Sequence, residues 1–269
     1  MADFIRLAAE YGFDAVDAGG GELKELVSAH GEQGARAWLQ ETGQGKVRIG
    51  SIGLSVEWRG DEAKFRQGLA GLAAEAQAAA ALGCTASCTY ILPSTDLPAA
   101  HFAVLATRRL RTCAQVLGAY GIRLGLEFVG PHHLRTRWAN PFLWTPQETL
   151  DWIDAIGEPN VGLLYDAYHW YTNELTADDI RKLRPEQIVH VHINDAPDVP
   201  VAEALDNGRL YPSEGVIDLA GFLRALHDIG YQGVVAQEIL TQAPPQESPE
   251  ALAQRSQAAF ERVYAAAGL

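Results

Sequence analysis

The apolar positions change period repeatedly along this chain. Short alternating or continuous runs give way to longer stretches with helical spacing, then return. Read this way, the chain predicts a helix over Asp3–Tyr11, a short strand over Phe13–Asp17 that ends in Gly19, Gly20 and Gly21, and helical sequence from Glu22 through Ala35–Glu41. A strand follows at Val47–Val56, then a long Ala-rich helix over Asp61–Leu82 that Gly83 stops. Next come a strand at Ala86–Leu92, a helix at Ala99–Tyr120 with Gly121 as its cap, and a strand at Ile122–Phe128. Beyond a long aromatic loop, Thr145 opens a helix to Ile156, with Glu148 at the capping-box spacing. Val161–Asp166 is a strand, Thr176 with Asp179 repeats the capping spacing, and Ile188–Ile193 is a strand. A helix over Ile217–Ile229, a strand over Val234–Leu240 and a closing helix over Ser248–Ala267 complete the order.

Strands alternating with helices imply parallel βαβ units. No linker, low-complexity run or charge block interrupts them, so the expectation is one α/β domain over residues 1–269, a (β/α)8 TIM barrel. Only seven strands are legible, and the eighth would precede the first helix. Either the barrel lacks its first strand and is open at one seam, or that strand lies upstream of Met1.

The stretch Ile188–Pro197, IVHVHINDAP, asks for an explanation. Alternation puts Val189, Val191 and Ile193 on one face and His190 and His192 on the other. A buried imidazole needs a hydrogen bond or a metal. The same alternation puts Glu127, Asp166 and Glu238 near the C-terminal ends of their own strands, on faces shared with small residues such as Gly125, Gly162 and Ala236. In a parallel barrel that end is where reactive groups gather. Each residue alone reads as an ordinary polar strand end. Four together read better as one site, and three carboxylates a few ångströms apart cannot all stay ionised without a cation. Oxygen-rich ligation with one histidine suits Mn²⁺, Mg²⁺ or Co²⁺ and does not exclude Zn²⁺.

Charge and composition narrow the partners. The formal net charge is −13 and the pI about 5.0, so nucleic acid is a poor partner. No apolar run reaches membrane-spanning length, and MADFIRLAAEYG lacks the basic start of a signal peptide. Cys84, Cys88 and Cys113 are odd in number and show no zinc-type spacing, which fits reduced residues of a cytoplasmic protein.

The motifs EFVGP at Glu127, DAYHWY at Asp166, HIND at His192, RLYPSEGVIDLAGFLRALHDIGY and QEIL at Glu238 resemble the xylose-isomerase-like sugar isomerase and epimerase superfamily, its inosose isomerase-like members above all. The resemblance implies a metal-dependent isomerase or epimerase of a keto-sugar or keto-inositol, acting by proton transfer through a metal-bound enediolate. It implies one divalent ion held by Glu127, Asp166, His192 and Glu238, with Glu127 and Glu238 also forming the acid/base pair. It implies that His169, in an Asp-x-x-His pattern with Asp166, and Arg209 contact substrate oxygens. Ser213 departs from the family's glycine-rich loop, which puts the loop beside Arg209 in question. The loop Gly130–Trp144 has the length of a lid, and Trp138 with Trp170 could wall a sugar-sized pocket or equally pack on the rim or form a subunit contact. His190 sits one step deeper than His192 and reads as support or core.

Three alternatives stand beside this reading. A dehydratase-like lyase would use the same site. A DNA-repair endonuclease on the same barrel would need more histidines and a basic groove, which the acidic charge opposes. A sugar-binding protein without catalysis would not need the acid/base pair. The expected partner is a small sugar or cyclitol, with a homo-oligomer left open.

Overall fold

The computed structural model describes residues 1–269. Its helices and strands follow the predicted order. Strand β1 is Ala15–Gly19, β2 Arg48–Gly53, β3 Ala86–Ile91, β4 Ser94–Thr95, β5 Arg123–Phe128, β6 Asn140–Pro141, β7 Val161–Asp166, β8 Ile188–Ile193 and β9 Val235–Gln237. Helix α1 is Ala2–Glu10, α2 Gly20–Thr42, α3 Glu62–Ala81, α4 Ala99–Gly118, α5 His132–Arg135, α6 Pro146–Ile156, α7 Ala167–Thr172, α8 Ala177–Arg181, α9 Leu219–Asp228 and α10 Pro249–Ala267.

Seven strands form one sheet in the order β1-β2-β3-β5-β7-β8-β9, with β1 and β9 as its end strands. An eighth strand is absent, as the hydrophobic pattern indicated. The short β4 and β6 pair with each other in an antiparallel ribbon inside what the sequence presents as loop. The two helical stretches expected between Glu22 and Glu41 both form, and they meet within α2 at a non-helical kink where Gly31 takes φ 68°. The last strand is shorter than expected: it stops at Gln237, so Glu238 lies just beyond it.

The chain divides into two compact units. One comprises Met1–Thr89, Pro98–Leu126 and Leu150–Gly162. Its core centres on fully buried Trp58, which stacks at a tilt on Phe102 and Trp152 and donates from its indole N–H to Thr89 Oγ1 at 3.0 Å. Arg109 is buried there with its charge partnered: it donates to the Trp58 and Gly60 carbonyls and to Glu62, and its guanidinium lies over Phe65.

The second unit comprises Tyr90–Leu97, Glu127–Thr149 and Leu163–Leu269. Tyr165 packs edge-on to Phe128, and Trp170 packs edge-on to Phe222 of α9. Both predicted capping pairs form here. Thr145 and Glu148 exchange hydrogen bonds at the start of α6, and Thr176 with Asp179 does the same for α8. The aromatic loop is fastened by Arg135, whose guanidinium donates to Gly130 O, Thr172 O and Asn173 Oδ1 and lies over Trp144.

Candidate metal centre

All four expected ligands belong to the second unit, and the register of its strands explains why they meet. In parallel β7 and β8, Leu163 pairs with Ile188 but Leu164 pairs with His190, so Val189 is accommodated in a bulge. That shift sets Asp166 level with His192. Across β9, His192 is level with Ala236, and Glu238 comes two residues later on the same face. Glu238 therefore starts one layer higher, and its two methylenes carry the carboxylate back. The small Ala236 leaves the space beneath.

One ligand atom from each of Glu127, Asp166, His192 and Glu238 lies within 4.8 Å of the others. His192 Nδ1 is 3.6 Å from Glu127 Oε1, 3.8 Å from Asp166 Oδ2 and 3.6 Å from Glu238 Oε2. These separations are too long for hydrogen bonds. They suit atoms that share a cation, because ligands about 2.1 Å from a common ion in tetrahedral array stand roughly 3.4 Å apart. The buried Glu127 Oε1 has no hydrogen-bond partner, a costly state that a bound cation would relieve. The residues present thus fit one divalent ion, with oxygen donors in the majority.

The carboxylates are not equivalent. Asp166 is fully buried and fully used: Oδ1 accepts from the backbone N–H of Tyr168 and His169 and caps α7, while Oδ2 accepts from Asn194 Nδ2 and Arg209 Nη1, both at 3.0 Å. Burial pushes the Glu127 carboxyl above the usual range, and the negative charge of Glu238 adds to this, with His192 opposing. Burial would also raise Glu238, but His192 and Arg209 beside it reverse the effect and hold it at about 2.

Arg209 is buried, and all five of its guanidinium N–H groups have protein acceptors. Nη1 donates to Asp166 Oδ2 and, at 2.6 Å, to Glu238 Oε2. Nη2 reaches Asp206 Oδ1 at 2.8 Å and His169 Nε2 at 3.3 Å, and Nε donates to Asp206 O at 3.1 Å. His169 is buried, with Nε2 3.8 Å from Glu127 Oε1 and Nδ1 without a hydrogen-bond partner. The structure thus brings His169 and Arg209 to the four ligands.

The two expected pocket tryptophans each have partners within the second unit. Trp170 is buried against Phe222 and donates from its indole to Thr176 O. Trp138 is half-buried beside the β4–β6 ribbon, where its backbone N–H donates to Ser94 Oγ and Arg137 lies over its ring. His190 is buried with its ring edge-on to His192, 5.2 Å between centroids.

Asn194, Asp195 and Asp206 also hold the site, and sequence reasoning gave them no such role. Asn194 and Asp195 look like turn formers after a strand. Both are buried instead. Asp195 accepts from the backbone N–H of Ala196, Gly215 and Ile217, each at 2.9 Å, and so folds the loop that carries Arg209. Ser213, where the family favours glycine, takes φ 71° and keeps the left-handed turn; its hydroxyl accepts from Arg262 Nε at 2.7 Å. Gly215 is a different matter. A Cβ there would strike the Ala196 carbonyl oxygen and come within 2.7 Å of Asp195 Oδ1. Gly215→Ala is expected to cost about 2 kcal/mol or more, read as a lower denaturant midpoint with an unchanged slope.

The chain matches the family model described as xylose isomerase-like TIM barrel over residues 5–263. It belongs to that family. An inosose isomerase of Bacillus velezensis is 32% identical over 130 residues, 48% of this chain and 44% of the relative. The match therefore spans less than half the length of that relative. Among solved structures, a xylose isomerase domain protein from Alicyclobacillus acidocaldarius is 35% identical with a TM-score of 0.90, covering 100% of this chain and 95% of that one. The IOLI protein, solved with a zinc atom, superposes with a TM-score of 0.77 at 19% identity, over 97% and 91% of the two chains, a likeness of fold. No helix of this chain is long and apolar enough to cross a membrane.

Proposed function

We propose that the protein is a cytoplasmic, divalent-metal-dependent isomerase or epimerase of a keto-sugar or keto-inositol. The observation that carries this is the convergence of Glu127, Asp166, His192 and Glu238 on one small volume, with a buried, unbonded oxygen on Glu127. The inosose isomerase relative supports the substrate class, and the zinc atom in the IOLI structure supports the ion. When bound, a divalent ion polarises a substrate carbonyl and acidifies the proton on the neighbouring hydroxyl-bearing carbon.

The chain's own residues do the rest. Asp166 and His192 are ligands, fixed by the α7 cap and the β8 register. Glu127 and Glu238 are ligands and also the acid/base pair, one removing a proton from carbon and the other returning one. Their environments differ in the metal-free protein, which suits two carboxyls with separate tasks. Return of the proton to the adjacent carbon gives isomerisation; return to the opposite face of the same carbon gives epimerisation. Arg209 and His169 receive substrate oxygens. For Arg209 this requires an N–H now committed to a carboxylate, and Nη1 is the one that faces the ligands.

The test has two parts. Metal-stripped protein is titrated with Mn²⁺, Co²⁺, Mg²⁺ and Zn²⁺, with one ion per chain expected. Loaded protein is then incubated in deuterated water with ketoses and keto-inositols. Deuterium is expected to enter at the carbon beside the carbonyl, at a rate that falls at least ~100-fold when the metal is removed. A product lacking one hydroxyl would place the chain with the dehydratases. Absence of both metal binding and exchange would sink the reading.

A further inference from the structure

The geometry points to Asp206 as a positioning residue, resting on the reading of the metal centre above: it pins Arg209 so that Nη1 straps Asp166 to Glu238 at the edge of the centre without entering it. Two observations carry this inference. Arg209 Nη1 donates to Asp166 Oδ2 and Glu238 Oε2, the same two oxygens that face His192 Nδ1. The other side of the guanidinium is held by one residue twice, Nε on the Asp206 carbonyl and Nη2 on the Asp206 carboxylate. A long, flexible side chain is thereby reduced to one orientation.

The turn that presents Asp206 is itself fixed. Gly208 N–H donates to Leu205 O at 2.9 Å, and the Tyr168 hydroxyl donates to the same carbonyl at 2.6 Å. The Tyr168 ring lies under the guanidinium, 5.2 Å from its centroid to Arg209 Cζ. Arg209 N–H then donates to Leu240 O, just past Glu238. Asp206, Arg209 and Glu238 are thus located by one set of backbone bonds.

Charge favours the same role for Asp206. Three carboxylates attract a divalent ion, and a guanidinium among them competes for the same oxygens. Asp206 offsets that competing charge and draws the guanidinium outward. Without it, Arg209 is free to swing between the carboxylates and take the cation's place. Residues that orient metal ligands from behind are worth about 10–100-fold in metal affinity when removed.

The experiment compares the parent chain with Asp206→Asn and Asp206→Ala. The first readout needs no metal: in protein labelled with ¹⁵N-arginine, the Arg209 Nη protons, assigned by their loss in Arg209→Lys, are expected as separate resonances because rotation is blocked. They should stay resolved in Asp206→Asn, whose amide oxygen still accepts from Nη2, and merge in Asp206→Ala. The second readout is Mn²⁺ binding by equilibrium dialysis. Asp206→Ala is expected to bind about tenfold or more weakly, and Asp206→Asn, which keeps the acceptor for Nη2 but loses the offsetting charge, is expected to fall between it and the parent. Should Asp206→Ala not fold, Asp206→Glu takes its place, since one added methylene moves the carboxylate off Nη2. Resolved Nη signals and unchanged Mn²⁺ affinity in a folded Asp206→Ala would overturn the inference. Merged signals with no Mn²⁺ binding even in the parent chain would uphold the positioning of Arg209 and remove the metal reading instead.

Discussion

Glu238→Gln is expected to abolish proton exchange into substrate, by about 10³-fold or more, while leaving a folded protein. The fold should survive because the backbone bond from Glu238 N–H to Ile193 O does not involve the side chain, and that side chain, just past β9, keeps 32% of its exposure. The amide retains an oxygen for Arg209, so the strap between Arg209 and residue 238 can persist. What disappears is the group that takes or returns the proton, whose usual worth is about 10²–10⁴-fold, together with one anionic ligand. The two losses separate experimentally. Mn²⁺ affinity measured on the same sample reports the ligand; exchange at saturating Mn²⁺ reports the proton transfer. Exchange within about tenfold of the parent at saturating metal would remove Glu238 from the acid/base pair. His192→Ala provides the contrast: it removes a neutral ligand and no acid or base. It should be costly in metal affinity, with exchange recovering in part as Mn²⁺ is raised.

Why Glu238 was legible in the sequence while Asp206 was not is a matter of period. Glu127, Asp166, His192 and Glu238 are readable because strand side chains alternate and because helices separate the strands regularly, so four polar residues at four equivalent places stand out. That reading tolerates error in the boundaries: β9 ends before Glu238, and the face is still right, since the backbone continues extended enough for Glu238 N–H to donate to Ile193 O. Asp206 and Arg209 sit in LDNGR, a turn-like stretch with no period at all. Their partners are set by long-range closure, through Leu240 and Tyr168, which no local pattern encodes. Asn194 and Asp195 misled for a different reason. Their residue types signal a turn, whereas the Asp195 backbone instead bridges to Leu210 and both side chains point back into buried acceptor and donor groups. Trp138 and Trp170 show the limit from the other side. An aromatic is equally at home in a core and beside a sugar, and composition alone does not separate a tryptophan packed edge-on against Phe222 from one at a pocket wall.

Glu127→Gln is expected to raise the stability of the metal-free protein while costing it the centre. Glu127 is buried with an oxygen that has no hydrogen bond, and its neighbours Glu238 and Asp166 are negative. Its carboxyl is accordingly pushed up, by burial first and by those charges next. A group raised on folding contributes stability that is complete below its unfolded value near 4.5 and is lost as pH climbs through the folded value. Metal-free protein should therefore lose stability on going from mildly acid to alkaline solution on account of Glu127. Glu238 has the opposite sign: held at about 2, it contributes above 4.5 and gives way only as pH falls toward 2. The two act in separate windows. Thermal unfolding of parent and Glu127→Gln, both metal-stripped, should diverge above pH 5 with the variant more stable, at about 2–4 °C per kcal/mol for a chain of this order of size. Added Mn²⁺ should reverse the order, because binding stabilises only the chain that holds the ion, by about 2.7 kcal/mol at a hundred times its Kd. A parent chain more stable than Glu127→Gln at pH 8 without metal would mean that Glu127 is satisfied inside the protein. The unpaired oxygen would then no longer mark this carboxylate as a ligand. A crossing of the two curves on adding metal is the signature of a residue kept for binding at the expense of the fold.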